Sequence, residues 1–185
     1  MTLNRRRFLK TTAGTILAAP ALVNGALASD HGPIKFVSIL DQSGGLDIYG
    51  KPMVDATKMA IDEMNEAGGL LGRKIDLKVY DPQSSIQFYT QFATQATAGD
   101  RADVVHAGIT SASREAIRPT FSRYNTLYFY NVLYEGGVCD INNFCTGSTP
   151  AQTVEKLVPY TMKKWGKKVY IVAADYNYGQ ITAQW

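Results

Sequence analysis

The stretch that decides the fold is DVVHAGITSASR, residues 103–114. A β-branched run ends in Gly108, three hydroxyl residues follow, and a helical pattern begins at Arg114. This order predicts a buried strand, a tight turn and the capped start of a helix. Helix starts carry unpaired N–H groups, and ligands of open parallel sheets bind at such turns. We therefore expect a site for a carboxylate or an amide carbonyl; the alternative is that Ser111 or Ser113 only caps the helix.

Strands and helices alternate on both sides of this stretch. Predicted strands cover residues 34–40, 75–81, 103–107, 126–130 and 168–174, and predicted helices cover 52–67, 86–98, 114–124 and 152–165. The first strand is mostly apolar, whereas the second alternates and so is expected nearer an edge. Short connections in this order predict an α/β fold with a doubly wound parallel sheet.

The alternation is interrupted between residues 132 and 148. A long loop and a short extended piece at 143–147 occupy this interval. A new β-α-β unit then starts at residue 168, and its sheet is unfinished at residue 185. We therefore expect an N-terminal fragment of a longer protein, with one domain over 29–147 and the incomplete start of a second over 148–185.

Residues 1–28 have the pattern of an export signal. Arg5-Arg6-Arg7-Phe8-Leu9-Lys10 is similar to the twin-arginine motif, and a mild apolar stretch follows at 15–23. Small residues at 26 and 28 predict cleavage before Ser29. The alternatives are the general export route and a membrane anchor, but the apolar stretch is too short and too broken to span about 30 Å of hydrocarbon.

Charge and composition exclude one class of partner. The net charge of +3 depends on four basic residues near the N-terminus, and without them the side chains sum to about −1. No basic face with interleaved aromatic residues follows, so nucleic acid is not an expected partner. The sequence also offers neither a metal-ligand pattern nor a cofactor motif, and we expect neither metal nor cofactor.

The two cysteines, Cys139 and Cys145, both follow the export signal. An even pair at this spacing in an oxidising compartment predicts a small disulfide that closes a loop. Such a short loop can contribute only about 2 kcal/mol of stability, so the bridge would shape the loop.

Several motifs together resemble a known family. The Asp41-Gln42-Ser43-Gly44 loop, the helix end at 60–69 and Leu71-Gly72-Arg73-Lys74 are similar to type I periplasmic substrate-binding proteins of ABC importers, the leucine/isoleucine/valine-binding family. Residues 110–114, 134–136, 150–152 and 175–179 are closer to its urea and short-chain amide branch. The resemblance covers nearly all of 34–185 and implies the two-lobed fold of that family.

The resemblance also implies a set of ligand-binding residues. Ser111 becomes the central contact, with Thr110 in the same turn, and Ser43 lies near the mouth of the cleft. The remaining implied contacts are Tyr130 and Val132 at the next strand end and Tyr176 and Tyr178 from the second lobe. For the tyrosines, the alternative is packing in the core or at its rim.

Three further side chains have open interpretations. Arg114 is expected in a surface ion pair, with a ligand carboxylate as the alternative partner. Glu135 either fixes its own loop or binds a ligand N–H group. His106 lies within a strand and is expected to be a satisfied core histidine.

The expected function is the capture of a small polar solute between two lobes in the periplasm, followed by delivery to the permease subunits in the membrane. A ligand-sensing receptor with the same fold is the alternative, and an exported hydrolase is a third hypothesis. A hydrolase would need a nucleophile beside a base, and Ser111 has no plausible partner in the sequence. The protein is therefore not expected to be an enzyme, nor to span the membrane after signal cleavage.

Overall fold

The computed structural model describes residues 32–185, so the predicted export signal lies outside the described residues. Five strands occur in chain order: β1 (Ile34–Ile39), β2 (Ile75–Tyr80), β3 (Val104–Ala107), β4 (Leu127–Tyr130) and β5 (Asn143–Cys145). The five α-helices are α1 (Asp47–Glu66), α2 (Ile86–Thr94), α3 (Ser111–Arg123), α4 (Val154–Trp165) and α5 (Asn177–Thr182). A π-helical turn, Gln95–Gly99, continues α2.

The five strands form one parallel sheet in the order β2-β1-β3-β4-β5. This is the order of a doubly wound α/β sheet, in which later strands are added on both sides of the first. Here β2 lies on one side of β1, and β3, β4 and β5 lie on the other. The predicted fold class is therefore confirmed, and β2 lies at the predicted edge. The short extended piece near residue 143 is β5, which forms the opposite edge next to β4.

Helices cover both faces of the sheet. On one face, α2 and α3 pack on alternate strand residues, with Ile39, Val105 and Tyr128 fully buried in this core. On the other face, α1 buries Val54 and Ile61 against the remaining strand residues. Burial on both faces explains why β1 and β3 have nearly continuous apolar sequences.

Helix α1 begins earlier than the sequence suggested. Pro52 was expected to open the helix, but the structure places it inside α1, which begins at Asp47. The cause is a close approach to the end of β1: a Cβ atom on Gly50 would lie 1.9 Å from the Asp41 carbonyl oxygen. Glycine lets the first turn of α1 pack directly on the backbone there, so the helix extends across the predicted loop.

The predicted strand at residues 168–174 is absent from the structure. The segment has no hydrogen-bonded partner strand within residues 32–185, and most of its apolar side chains are exposed. A single extended segment without a neighbouring strand cannot form the backbone hydrogen bonds of a sheet.

The two helices after β5 differ in their packing. Helix α4 buries none of its residues, whereas α5 lies against α3. None of the described helices is both long and apolar enough to cross a membrane.

Candidate functional site

The turn between β3 and α3 is the centre of the site. Gly108 has a φ of 84°, and a Cβ atom there would lie 3.1 Å from the Tyr128 hydroxyl. Thr110 is the N-cap of α3: its side chain accepts a hydrogen bond from the Ser113 N–H at 3.1 Å. Capping is therefore done by Thr110, which leaves Ser111 in the first turn of the helix with its side chain committed elsewhere.

A cleft of about 280 Å³ opens above this turn. It lies at the carboxyl ends of β3 and β4 and is bounded by the start of α1 and the approach to α5. The lining side chains are Leu46, Tyr49, Ile109, Thr110, Ser111, Tyr130, Val132, Leu133, Tyr176 and Tyr178. These residues are apolar, hydroxylic or aromatic, and none of them is charged.

A buried ion pair lies next to the cleft, outside its lining. Arg114 and Glu135 are each 1% exposed, and the guanidinium donates to both carboxylate oxygens, at 2.5 and 3.1 Å. The Ser111 hydroxyl donates to the same carboxylate, with 2.6 Å between Oγ and Oε2. The pair thus fixes the Ser111 side chain, while its two opposite charges offset each other.

The ion pair keeps both groups charged despite burial. Burial alone would raise the pKa of Glu135, but hydrogen bonds from Arg114 and Ser111 lower it below the usual range. Burial likewise opposes the charge on Arg114, yet the bonds to Glu135 and Glu115 raise the pKa of the guanidinium. Glu135 is consequently a carboxylate that only accepts hydrogen bonds, and its low basicity makes it a poor general base for Ser111.

Glu135 also connects the sheet domain to the end of the chain. Its side chain accepts a hydrogen bond from Asn177 at 3.2 Å, and its backbone carbonyl accepts one from the Trp185 indole at 3.1 Å. The Arg114 guanidinium stacks at about 5 Å on the rings of Tyr130 and Tyr134. One buried carboxylate therefore joins α3, the loop after β4 and α5.

A family model for a periplasmic binding protein domain matches residues 34–184. This span contains the whole sheet, the cleft and the buried ion pair. The chain belongs to the periplasmic binding protein family.

Solved structures of binding proteins share the architecture. The fatty acid ABC transporter substrate-binding protein from Thermomonospora curvata has a TM-score of 0.72 and 19% identity, over 85% of this chain and 41% of its own. The leucine-, isoleucine-, valine-, threonine- and alanine-binding protein from Brucella ovis, in a closed conformation, has a TM-score of 0.68 and 23% identity, over 83% and 43%. The branched-chain amino acid substrate-binding protein LivJ from Streptococcus pneumoniae, in complex with isoleucine, has a TM-score of 0.51 and 24% identity, over 52% and 28%. The chain spans less than half of each, and the likeness establishes the type I periplasmic binding protein fold.

The periplasmic binding protein cleft brings together most of the residues predicted from sequence. Six of the eight predicted contacts line it: Thr110, Ser111, Tyr130, Val132, Tyr176 and Tyr178. Ser43 lies elsewhere, bonded through its hydroxyl to Asp81 at 2.7 Å, and Glu135 lies behind Ser111. Four lining residues were not among the predicted contacts: Leu46, Tyr49, Ile109 and Leu133. The late predicted start of α1 hid the first two.

The prediction for Arg114 is wrong. The guanidinium is buried and bound to Glu135, and its Nε also donates to the partly exposed Glu115 at 3.0 Å. Its position on the first turn of α3 faces the loop after β4, and that contact could not be inferred from the helix alone. His106 is buried, as predicted, and its ring nitrogens lie 3.4 Å from Thr57 Oγ1 and 3.1 Å from Asn131 Nδ2.

The predicted disulfide is not formed in this structure, where Cys139 and Cys145 are both free. Cys145 ends β5 and packs against the core, which raises the pKa of its thiol through burial. Cys139 is exposed in the preceding loop. The two side chains therefore occupy different environments, one inward and one in solvent.

Proposed function

We propose that this periplasmic binding protein captures a small polar solute in the cleft and delivers it to the membrane permease of an ABC-type importer. Urea, a short-chain amide or an amino acid is the solute class proposed. The observation that carries the proposal is the cleft itself: an uncharged pocket at the carboxyl ends of parallel strands, with hydroxyl groups at its floor and tyrosines at its rim. Ligands of doubly wound sheets bind at such crevices.

The arrangement supports binding without covalent chemistry. Ser111 donates to a carboxylate whose pKa is lowered, so no base activates it as a nucleophile. Tyrosines suit a small polar solute because each ring supplies apolar area and one hydroxyl group. Membership of a family of binding proteins agrees with this assignment.

The proposal includes a two-lobed action. Residues 29–147 would form the first lobe and 148–185 the beginning of the second, from which Tyr176 and Tyr178 close on the solute. Both tyrosines already line the cleft, and Asn177 between them bonds Glu135 of the first lobe. Solute binding would then favour the closed arrangement through contacts that exist only when the two parts meet.

The cellular setting is also part of the proposal. Export by the twin-arginine route would place the protein in the periplasm, where the permease subunits meet it. A fusion of residues 1–31 to a reporter, with Arg5 and Arg6 both replaced by Lys, tests this route. Loss of periplasmic reporter is expected, and unchanged export would refute the twin-arginine assignment.

A thermal-shift screen of the whole protein tests solute capture. Urea, acetamide, isovaleramide, leucine and valine form the panel, and a solute that binds only the folded state raises the melting temperature. Failure of every member to do so would overturn the proposal for this solute class.

Calorimetry on variants then tests the floor of the cleft. Ser111→Ala is expected to weaken binding by about 1–3 kcal/mol, because it leaves a polar group of the solute unmatched. Ser38→Ala is the matched control: Ser38 is equally buried, lies outside the cleft and has no hydrogen-bond partner within residues 32–185. Equal affinities of wild type and Ser111→Ala would remove Ser111 from the site.

A further inference from the structure

The segment that enters α5 has two different sides. Tyr176 and Tyr178 line the cleft, whereas Asn177 between them does not. Neighbouring residues at the start of a helix point in different directions, so one side of this segment meets the cleft and another side turns away from it. On the side away from the cleft, the Asn177 amide donates to Glu135 Oε1 at 3.2 Å.

A second hydrogen bond from the same part of the chain reaches Glu135. The Trp185 indole N–H donates to the backbone carbonyl oxygen of Glu135 at 3.1 Å. In the proposed two-lobed architecture, Glu135 belongs to the first lobe, and Asn177 and Trp185 belong to the second. None of these three residues lines the cleft, so both bonds join the lobes without passing through the solute.

The contact around these two bonds is loosely packed. A cavity of about 280 Å³ lies between α3, the loop after β4 and α5. Its walls include the charged side chains of Glu115 and Arg118 on α3 and the side chain of Ile181 on α5. Polar interfaces of this kind permit relative motion of the parts that they join, whereas large apolar interfaces resist it. Helix α5 can therefore leave Glu135 without exposing an apolar core at this contact.

Glu135 stays paired when Asn177 is removed from it. Its carboxylate also accepts hydrogen bonds from Arg114 and Ser111, and both of these partners lie in α3. Because the acceptor is ionised, the bond from Asn177 is stronger than a bond between two neutral groups. Glu135 is thus a fixed acceptor in the first lobe, onto which the second lobe can dock and from which it can separate.

We infer that the hydrogen bond between Asn177 and Glu135 is a latch, which holds the rim tyrosines over the cleft without contacting the solute. This inference rests on the proposed two-lobed capture and deepens it by naming a residue that regulates closure. The latch favours the closed arrangement by the same free energy whichever solute is bound. The apparent affinity of a protein scales with the fraction of molecules in the binding-competent state. Removal of the latch should therefore weaken the binding of every solute by one common factor.

Exchange of the Trp185 indole hydrogen with water reports the latch in the absence of any solute. The chain has two tryptophans, so Trp165→Phe leaves Trp185 as a single indole signal in a nuclear magnetic resonance spectrum. Asn177→Asp places a second carboxylate against Glu135, and like charges at this distance repel. An acidic residue at the start of a helix is otherwise favourable, so α5 itself should not unfold. We expect about tenfold faster exchange in Asn177→Asp and a smaller increase in Asn177→Ala.

Gln184→Glu is the matched control. It makes the same change from an amide to a carboxylate on an exposed side chain, directly beside Trp185 in the sequence. It therefore reproduces the effect of the added charge on the intrinsic exchange of the indole hydrogen, while Asn177 still donates to Glu135. The exchange rate should stay that of the parent protein.

Calorimetry then relates the latch to capture. Urea, acetamide, isovaleramide, leucine and valine are titrated into the wild type and the variants. Asn177→Ala should weaken every solute that binds by one common factor of up to about tenfold, Asn177→Asp by a larger common factor, and Gln184→Glu by none. A factor that differs between solutes would make Asn177 a solute contact and would overturn the inference.

Failure of the latch and failure of the proposed function are distinguishable. Equal indole exchange in Asn177→Asp and its parent would show that α5 does not depend on this bond, and the inference would be wrong. Faster exchange with unchanged solute affinity would also overturn it, because the bond would then not regulate closure. If none of the five solutes binds the wild type, the proposed function fails, and that result is obtained without any variant.

Discussion

Acid should destabilise this protein through His106. The ring is 5% exposed and bonded at both nitrogens in a way that requires the neutral form. Thr57 Oγ1 donates to the Met53 carbonyl at 2.7 Å, so it receives the hydrogen of Nδ1. The Asn131 amide then donates to Nε2. Protonation would place two donors face to face at Nε2 of a ring that is almost completely buried.

The size and sign of the effect follow from the pKa of this histidine. Burial lowers the pKa of His106 from its ordinary 6.5 to about 4. The unfolded chain therefore binds a proton at a higher pH than the folded protein does, and stability falls as the pH drops from 6.5 toward 4. Since each pKa unit corresponds to 1.36 kcal/mol, the full loss from this group is about 3 kcal/mol, and above pH 7 it vanishes.

Urea denaturation at pH 7.5 and pH 4.5 measures this loss. His106→Gln keeps one acceptor and one donor but does not titrate, so we expect the wild type to lose about 2.5 kcal/mol more than the variant between the two pH values. The carboxylates also change the stability at the lower pH, but they do so in both proteins and cancel in the comparison. Equal losses in the two proteins would refute the assignment of a neutral, buried His106.

Three further outcomes test other parts of the structure. Arg114→Met should lower the free energy of unfolding by about 3–5 kcal/mol, because Glu135 is left buried without its partner. Adding Glu135→Leu should restore part of that stability. Urea denaturation measures both changes, and a small effect of Arg114→Met alone would contradict burial of the pair. Gly108→Ala should cost about 1–3 kcal/mol because of its positive φ and the close Tyr128 hydroxyl, whereas Gly45→Ala, with open space around it, should be nearly neutral. In the reduced protein, a thiol reagent should label the exposed Cys139 well before the half-buried second cysteine, and equal rates would contradict the inward orientation of that residue.

The sheet could be predicted because its signals are local. Apolar runs such as residues 34–40 and 103–107, each followed by a helical pattern, identify the strands of a parallel sheet, and the alternating pattern of residues 75–80 identifies an edge. What failed depended on contacts between distant residues. The start of α1 is set by Gly50 packing on the Asp41 carbonyl, and residues 168–174 have strand propensity but no partner within the described residues.

The site was predictable to the same degree. The carboxyl ends of parallel strands lie at one edge of a sheet. Ser111 follows β3 and Tyr130 ends the neighbouring β4, so the two residues had to lie close together. The partner of Arg114 was not predictable, because Glu135 lies 21 residues away in an irregular loop that no periodicity describes. The direction of the Ser111 hydrogen depends on that pairing, so it could only be found in the structure.

The buried pair of Arg114 and Glu135 orients the Ser111 hydroxyl. Removing two charges from water is costly, and apolar residues of similar size often stabilise a protein more than such a pair does. Stability alone therefore does not explain its presence beside the cleft. A neutral residue at position 135 would free the Ser111 hydrogen to point at the solute, and a lone Glu135 would leave an uncompensated charge beside it. Only the pair holds the Ser111 hydrogen away from the cleft while keeping the floor uncharged. The Glu135 carboxylate also accepts a hydrogen bond from Asn177, and so it connects the floor of the cleft to α5, which carries Tyr178.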